Sequence, residues 1–264
     1  MPRAKRRLGQ HFLTDPRILA RIADALEATP GDTILEIGPG PGGLTGALLE
    51  RAGHVIAIEK DRELLEPLRT RYPTLGLVHG DALDLDWHAL VGEPFLVAGN
   101  IPYNITSPLL DKALTPPPPR RIVFLVQKEV AERVTADPGT REYGALTVGV
   151  QTAARAERLF TVPAGAFHPR PKVDSAVLRL TPRDQPLVSP SARDRFRAMV
   201  VGLFGFRRKQ IARGIRELTG WDSERVRTVL GTVAIAEAAR PEVLTPADFV
   251  RLHQALVDGG WRAR

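Results

Sequence analysis

Asn100, Ile101, Pro102 and Tyr103 follow the apolar run 94–98 and bring an amide, a stiff turn and an aromatic ring to the end of a segment that reads as a buried strand. Such a group suits methyl transfer to an exocyclic amine. The N6 lone pair of an adenine is delocalised into its ring and is a poor nucleophile. Two aligned acceptors, the Asn100 side-chain oxygen and the main-chain carbonyl of Ile101, would hold the amine N–H groups. They would favour a pyramidal nitrogen and stabilise the positive charge developing there. Pro102 would stiffen the turn, and Tyr103 offers a face on which a splayed-out base can stack. Taken alone, the four residues suit a proline turn with a packed tyrosine equally well. Their place in the strand order has to decide.

Two further constellations belong to the same sheet edge. Residues 36–43, EIGPGPGG, join a strand to a helix, and Gly38, Gly40 and Gly42 would allow a tight turn with close approach of backbone N–H groups to a ligand. Glu59 ends the second strand, where an acidic side chain accepts hydrogen bonds from ribose hydroxyls. The spacing G-x-G-x-G departs from the dinucleotide fingerprint. Glu36, two positions before the first glycine, would repel a pyrophosphate but tolerate a cationic amino-acid moiety. S-adenosylmethionine carries a nucleoside, a sulfonium and an ammonium without phosphate, so electrostatics favours it over NAD. Asp81, in GDALD at the end of the third strand, is placed to accept from the adenine amino group of that cofactor. An ordinary turn or N-cap aspartate is the alternative there.

The elements that must position these residues alternate regularly. Strands are expected at 33–38, 54–61, 75–84, 94–100 and 121–127, with helices at 17–28, 43–53, 62–72, 107–114 and 128–136. Asp15 and Pro16 supply an N-cap and a first-turn proline for the first helix. Short apolar strands alternating with helices predict a mostly parallel, doubly wound α/β sheet. Segments 155–163 and 174–182 have no helix between them and predict an antiparallel pair at the sheet edge. Beyond the proline- and serine-bearing stretch 183–191 only helical patterns recur, at 192–206, 207–218, 223–231 and 245–256. The expected division is a ligand-binding α/β domain over 1–186 and a small all-helical domain over 187–264.

The bulk composition bounds the partners. The 264 residues are 43% hydrophobic, enough for a sizeable core, and carry a formal charge of +7 with a pI near 10.2. That excess points to a polyanion. Two clusters concentrate it: Arg3, Lys5, Arg6 and Arg7 before GQHFL, and Arg207, Arg208, Lys209, Arg213 and Arg216 within 204–216. If 207–218 is one helix, Lys209, Arg213 and Arg216 share a face suited to the phosphates of a structured RNA. Cysteine is absent, which excludes a thiol nucleophile and Cys-ligated zinc and fits a reducing cytoplasm. The basic start lacks the apolar run of a secretory signal, and no stretch has the length of a membrane span. The six histidines are scattered without metal-ligand spacing, and no metal is expected.

Assembled in order, GQHFL, LEIGPGPGGLT, IEKD, GDAL, GNIPYNI, FLVQKEVAERV, FHPRPKVDSAV and FRRKQI closely resemble the ribosomal RNA adenine N6,N6-dimethyltransferases, specifically the bacterial KsgA/RsmA family. The resemblance covers nearly the whole chain and implies a Rossmann-like class I methyltransferase fold. It implies that His11, Leu13, Glu36, Gly38, Gly40, Glu59, Asp81 and Asn100 line the S-adenosylmethionine site. Glu59 would hold the ribose and Asp81 the adenine amino group. Asn100, Pro102 and Tyr103 would be catalytic. The resemblance also implies dimethylation of two adjacent adenines in the 3′-terminal hairpin of 16S rRNA within an assembling small subunit, by a monomer. Phe167, Pro169 and Lys172 would border the target-base pocket, and Arg207, Arg208, Lys209 and Arg213 would grip rRNA. Many members have Asn where this chain has His11, so its backbone is expected to matter more than its side chain. The rival expectations are a 23S rRNA dimethyltransferase of the macrolide-resistance type, an adenine-specific DNA methyltransferase, and a non-catalytic rRNA assembly factor on the same fold.

Overall fold

The computed structural model describes residues 10–262, and the basic arm at Arg3, Lys5, Arg6 and Arg7 lies outside them. In chain order the elements are β1 (Phe12–Leu13), α1 (Pro16–Asp24), β2 (Thr33–Ile37), α2 (Gly43–Leu49), β3 (His54–Glu59), α3 (Arg62–Arg71), β4 (Gly76–His79), α4 (Trp87–Val91), β5 (Leu96–Asn100), α5 (Thr106–Ala113), β6 (Arg121–Gln127) and α6 (Lys128–Val134). They continue with α7 (Ala145–Ala153), β7 (Ala154–Val162), β8 (Phe167–His168), β9 (Ser175–Pro182), α8 (Arg193–Gly205), α9 (Ile211–Thr219), α10 (Ser223–Thr232) and α11 (Pro246–Asp258).

Seven strands form one sheet in the order β4-β3-β2-β5-β6-β9-β7. The first five are mutually parallel, and β9 runs antiparallel to β6, with Ile122 opposite Leu180 and Gln127 opposite Ser175. This is the expected mostly parallel sheet with an antiparallel edge. Because β2, β3, β4 and β5 point the same way, Ile37, Glu59, His79 and Asn100 all finish at one edge. The central strands are buried on both faces, as a sheet covered by helices requires: Ile34, Ala57, Leu96, Ala98, Val123 and Val177 share one core with Ile22, Leu26 and Leu48 of the covering segments. The Asp15 carboxylate caps α1 by accepting from the amides of Arg17 at 2.8 Å and Ile18 at 3.3 Å. That helix ends earlier than expected, since Glu27 takes a left-handed φ of 51°.

A second, two-stranded ribbon was not anticipated. β1 pairs antiparallel with β8, setting Phe12 opposite His168 and Leu13 opposite Phe167. Two motifs far apart in the chain are thereby one local structure.

The chain divides into two compact units, one of residues 1–131 and 156–182, the other of 132–155 and 183–264. The expected division at 186/187 is corrected on this point, because residues 132–155 belong with the helical tail. The reason is packing. Ala136, Tyr143 and Val148 enter a core with Phe196, Met199, Leu203, Ile211, Ile215, Phe249 and Leu256. The buried Tyr143 hydroxyl donates to the Leu244 carbonyl at 2.7 Å. Helix α7 also escaped sequence reading. It is apolar almost throughout and rich in Thr and Val, so it lacks a polar face to reveal a helical period.

Within the helical unit, 207–218 is not one helix. α8 stops at Gly205, residues 206–210 turn, and α9 begins at Ile211, whose amide donates to the Ala239 carbonyl at 2.6 Å. Arg207, Arg208 and Lys209 therefore sit in the turn, and the shared face with Arg213 and Arg216 does not form. Among the described residues no helix is long and apolar enough to cross a membrane.

Tyr143→Phe would leave the Leu244 carbonyl buried without its donor, costing about 1–3 kcal/mol. Urea unfolding followed by circular dichroism is expected to show a lower midpoint; an unchanged midpoint would mean water replaces the phenol.

Candidate functional site

One cavity at the carboxyl ends of β2, β3, β4 and β5 is lined by His11, Leu13, Glu36, Gly38, Gly40, Glu59, Asp81, Asn100, Pro102 and Tyr103. All ten residues assigned to cofactor or chemistry thus meet in one place. Phe167, Pro169, Lys172 and the cluster 207–213 are not in its lining.

The glycine turn works differently from the expectation. Gly38, Gly40 and Gly42 all adopt left-handed φ, at 69°, 59° and 85°. Their amides are already used: Gly38 N–H donates to the Ile58 carbonyl, Gly40 N–H to the Glu59 carboxylate and Gly42 N–H to the Pro39 carbonyl, each at 3.0 Å. The expected amide cradle for a ligand is therefore corrected. Space explains two of the glycines better, while Gly38 is favoured by its left-handed φ alone. A Cβ on Gly40 would lie 3.1 Å from the Phe12 ring, and one on Gly42 would meet Tyr72 at 2.4 Å.

Glu59 is buried, with Oε2 on the Gly40 amide and Oε1 on the Asp61 amide at 2.7 Å. Burial raises the proton affinity of its carboxyl, against the pull of these amides. Glu36 is only 1% exposed, and its Oε2 accepts from the Thr45 hydroxyl at 2.7 Å. Burial first, and Glu59 in addition, push the Glu36 carboxyl up to about 8, so it is largely neutral at pH 7. The expected repulsion of phosphate by Glu36 is corrected accordingly: its carboxyl is a buried, mostly protonated group tied to Thr45. Asp81 keeps the acidic role. Its Oδ2 meets Lys60 Nζ at 2.5 Å and its Oδ1 accepts from the Leu83 amide at 2.9 Å. The Lys60 hydrogen bond, then that amide, hold this carboxyl below its usual range.

At the end of β5, the Asn100 side-chain NH2 donates to the His11 carbonyl at 2.8 Å. A carbonyl only accepts, so this bond fixes which end of the amide faces His11 and leaves Oδ1 turned elsewhere. Ile101 donates its N–H to the Leu125 carbonyl at 3.0 Å, fixing the next peptide to β6. The Tyr103 hydroxyl is hydrogen-bonded to the buried Ser175 hydroxyl at 3.1 Å. The imidazole of His11 stacks on Tyr103, ring centroids 5.8 Å apart and planes 23° from parallel.

The residues assigned to RNA fare unevenly. Phe167 is 5% exposed and packs into the core of the sheet unit. Pro169 is half-buried and Lys172 is exposed. Arg207 is committed within its own unit, its guanidinium bonded to Glu242 at 2.7 Å and to the Thr140 carbonyl at 3.0 Å. Arg208, Lys209 and Arg213 are exposed.

Sequence reasoning missed Lys60, although its position directly after Glu59 at a strand end marked it. It also missed Phe12, whose ring closes the cavity beneath Gly40; only the turn geometry reveals that contact.

The carboxyl groups that line the cavity are acceptors and suit a ligand rich in hydroxyl and amino groups. Among its lining residues the single cation, Lys60, is paired with Asp81, which leaves nothing to neutralise a pyrophosphate.

Comparison with known proteins agrees with this geometry. The family model described as ribosomal RNA adenine dimethylase matches residues 1–257. The ribosomal RNA small subunit methyltransferase A of Aromatoleum aromaticum is 44% identical over 255 residues, spanning 95% of this chain and 93% of that protein. Its counterpart in Geobacter sulfurreducens is 40% identical over 267 residues, spanning 98% and 97%. Among solved structures, a dimethyladenosine transferase from Plasmodium falciparum superposes with a TM-score of 0.84 at 27% identity, covering 95% of this chain and 98% of that one. The 23S rRNA methyltransferase ErmE gives 0.74 at 32% identity, covering 93% and 99%.

The Glu36 carboxyl binds its proton in the fold up to pH about 8 but only up to about 4.5 in the unfolded chain. Its contribution is fully present below 4.5 and fades as pH rises to 8. Stability of the sheet unit is expected to fall across that window, by at most about 1.4 kcal/mol per pH unit. Glu36→Gln should flatten the dependence in urea titrations at pH 5, 6, 7 and 8; an equal slope in the variant would exclude Glu36 as its source.

Proposed function

The chain belongs to the ribosomal RNA adenine dimethylase family, and from that premise we propose how its residues serve the reaction. It is an rRNA adenine methyltransferase. The reading we favour is dimethylation of N6 on two adjacent adenines in the 3′-terminal hairpin of 16S rRNA, in an assembling small subunit in the cytoplasm, by a monomer. The single observation that most supports it is that Glu59, Asp81, Asn100 and Tyr103 line one cavity.

When bound, S-adenosylmethionine supplies an electrophilic methyl group. Glu59 accepts from the ribose hydroxyls and Asp81 from the adenine amino group, in part at the expense of Lys60. Gly38 and the backbone around His11 and Leu13 border the remainder of the cofactor, and Glu36 stiffens the turn beneath it through Thr45. Asn100 Oδ1 and the Ile101 carbonyl hold the two N–H groups of the target amine. Drawing both hydrogens out of the base plane localises the nitrogen lone pair and stabilises the cation that forms. Tyr103, held through Ser175, supports the base, and Pro102 fixes the turn that aims both side chains. Arg208, Lys209 and Arg213, together with Lys172, are the exposed cations assigned to rRNA phosphates, giving binding that weakens with salt.

Identity favours the small-subunit substrate: relatives named for it reach 44% and 40%, against 32% for the 23S rRNA enzyme. The decisive experiment supplies labelled S-adenosylmethionine and small-subunit particles lacking the modification, with 23S rRNA and DNA as controls. Label in the particles is expected; label in 23S rRNA or DNA alone would overturn the assignment, and none anywhere would favour an assembly factor. In the same assay Asn100→Ala should lose methylation by about 100-fold or more, while calorimetry shows cofactor binding largely retained. Near wild-type turnover would remove the amine-orienting role.

A further inference from the structure

We propose that Lys112 is a positioning residue for the cofactor site: it holds the loop that carries Asp81, and so determines how well the site recognises the amino group of the cofactor's purine. The proposal rests on the assignment of Asp81 to that amino group. It adds a residue that lies outside the cavity lining.

β4 ends at His79, so Asp81 stands on a loop, and a loop carboxylate is only as selective as its support. Three bonds from three elements supply that support. Gly80 N–H donates to the Glu59 carbonyl of β3 at 3.0 Å. The indole N–H of Trp87, buried on α4, donates to the Ala82 carbonyl at 2.8 Å. Lys112 Nζ, from the last turn of α5, donates to the Leu83 carbonyl at 2.7 Å. A lysine in a last turn already suits the negative end of its own helix. Lys112 instead directs its ammonium to a loop 29 residues back in the chain. The same ammonium lies 5.7 Å from the centroid of the Trp87 ring, within cation–π reach, so the two side-chain anchors of the loop support each other.

Leu83 transmits the hold to the carboxylate. Its carbonyl takes the bond from Lys112, and its amide donates to Asp81 Oδ1 at 2.9 Å. With Oδ1 fixed, Oδ2 is the oxygen left for a ligand, and Lys60 Nζ meets it at 2.5 Å. The two lysines thus do different things. The Lys60 side chain is largely exposed and can yield Oδ2 to an arriving amino group. Lys112 is partly buried and bonded to main chain, so it stays in place when the ligand enters. Its charge also helps keep the Asp81 carboxyl ionised, behind the larger effects of the Lys60 and Leu83 hydrogen bonds. A carboxylate held in place distinguishes a 6-amino purine, which donates there, from a 6-oxo purine, which presents an acceptor. A loop free to shift accommodates both.

Calorimetry of the whole chain with S-adenosylhomocysteine and S-inosylhomocysteine, which has an oxygen in place of the purine amino group, reads this recognition directly. Wild type is expected to prefer the adenosyl ligand by about tenfold or more. Lys112→Met keeps the stem and removes donor and charge. It should narrow the preference to within about threefold, mainly by weakening the adenosyl ligand. Lys112→Arg keeps donor and charge and should keep the wild-type preference. Asp81→Ala should lose the preference by itself, and adding Lys112→Met to it should change the ratio no further. If Lys112→Met does not fold, Lys112→Gln, shorter and uncharged, is judged by the same ratio. Equal weakening of both ligands would make Lys112 a support of the fold alone and overturn the proposal, as would an unchanged preference. If wild type binds the two ligands alike, the role of Asp81 fails. If it binds neither, the cofactor reading itself fails, and the proposal falls in both cases.

Discussion

A carboxylate taken out of water has to be matched by donors, and the buried Glu59 is matched by the main chain on both sides of it. Gly40 donates from the turn after β2, and Asp61 donates from the turn after β3. This pair of hydrogen bonds joins the two strand ends that carry the cavity. It uses the amide of the glycine turn on the protein's own acid, which is why that turn is not an anion cradle of the phosphate-binding kind. Glu36, one layer deeper and largely protonated, adds a neutral support through Thr45 without a second full charge beside Glu59. The carboxyl that still lines the cavity, Glu59, is suited to accept hydrogen bonds from hydroxyl groups and would disfavour phosphate.

Parallel pairing extends this arrangement sideways. Glu36 lies opposite Ala98 and Ile37 opposite Gly99, so Asn100 emerges one residue beyond the end of β2. A Cβ on Gly99 would come within 2.6 Å of the Ile37 carbonyl, and its absence lets β5 run close beneath the turn. From the other side the β1–β8 ribbon brings His11 to the amide of Asn100. Sheet and ribbon thus converge on one side-chain amide, and its orientation follows from contacts made by residues distant in the sequence.

Much of this was legible in the sequence because it follows from short-range periodicity. The parallel strands alternate with helices at spacings that predict a mostly parallel, doubly wound sheet, and Glu59, Asp81 and Asn100 are each read as strand-end residues before any tertiary contact is known. What was not legible depends on long-range contact. The pairing of Phe12 with His168 leaves no local trace in two-residue strands. Burial of Phe167 follows from that pairing. Lys209 looks helical by composition but lies in a turn set by the bond from Ile211 to Ala239. The protonation of Glu36 required knowing that it is enclosed, and helix α7 escaped because its apolar residues, with no charged residue among them, leave no polar face to reveal a helical period.

The central claim is that strand-end carboxylates, led by Glu59, select a phosphate-free adenosyl cofactor. The most direct measurement is calorimetric binding of S-adenosylmethionine and of NAD to wild type and to Glu59→Gln, which keeps the shape and removes the charge. The account predicts that wild type binds S-adenosylmethionine and not NAD, and that the substitution weakens S-adenosylmethionine by about tenfold or more, as expected for hydrogen bonds to a charged acceptor. Equal affinity in the two proteins, or binding of NAD by wild type, would contradict it.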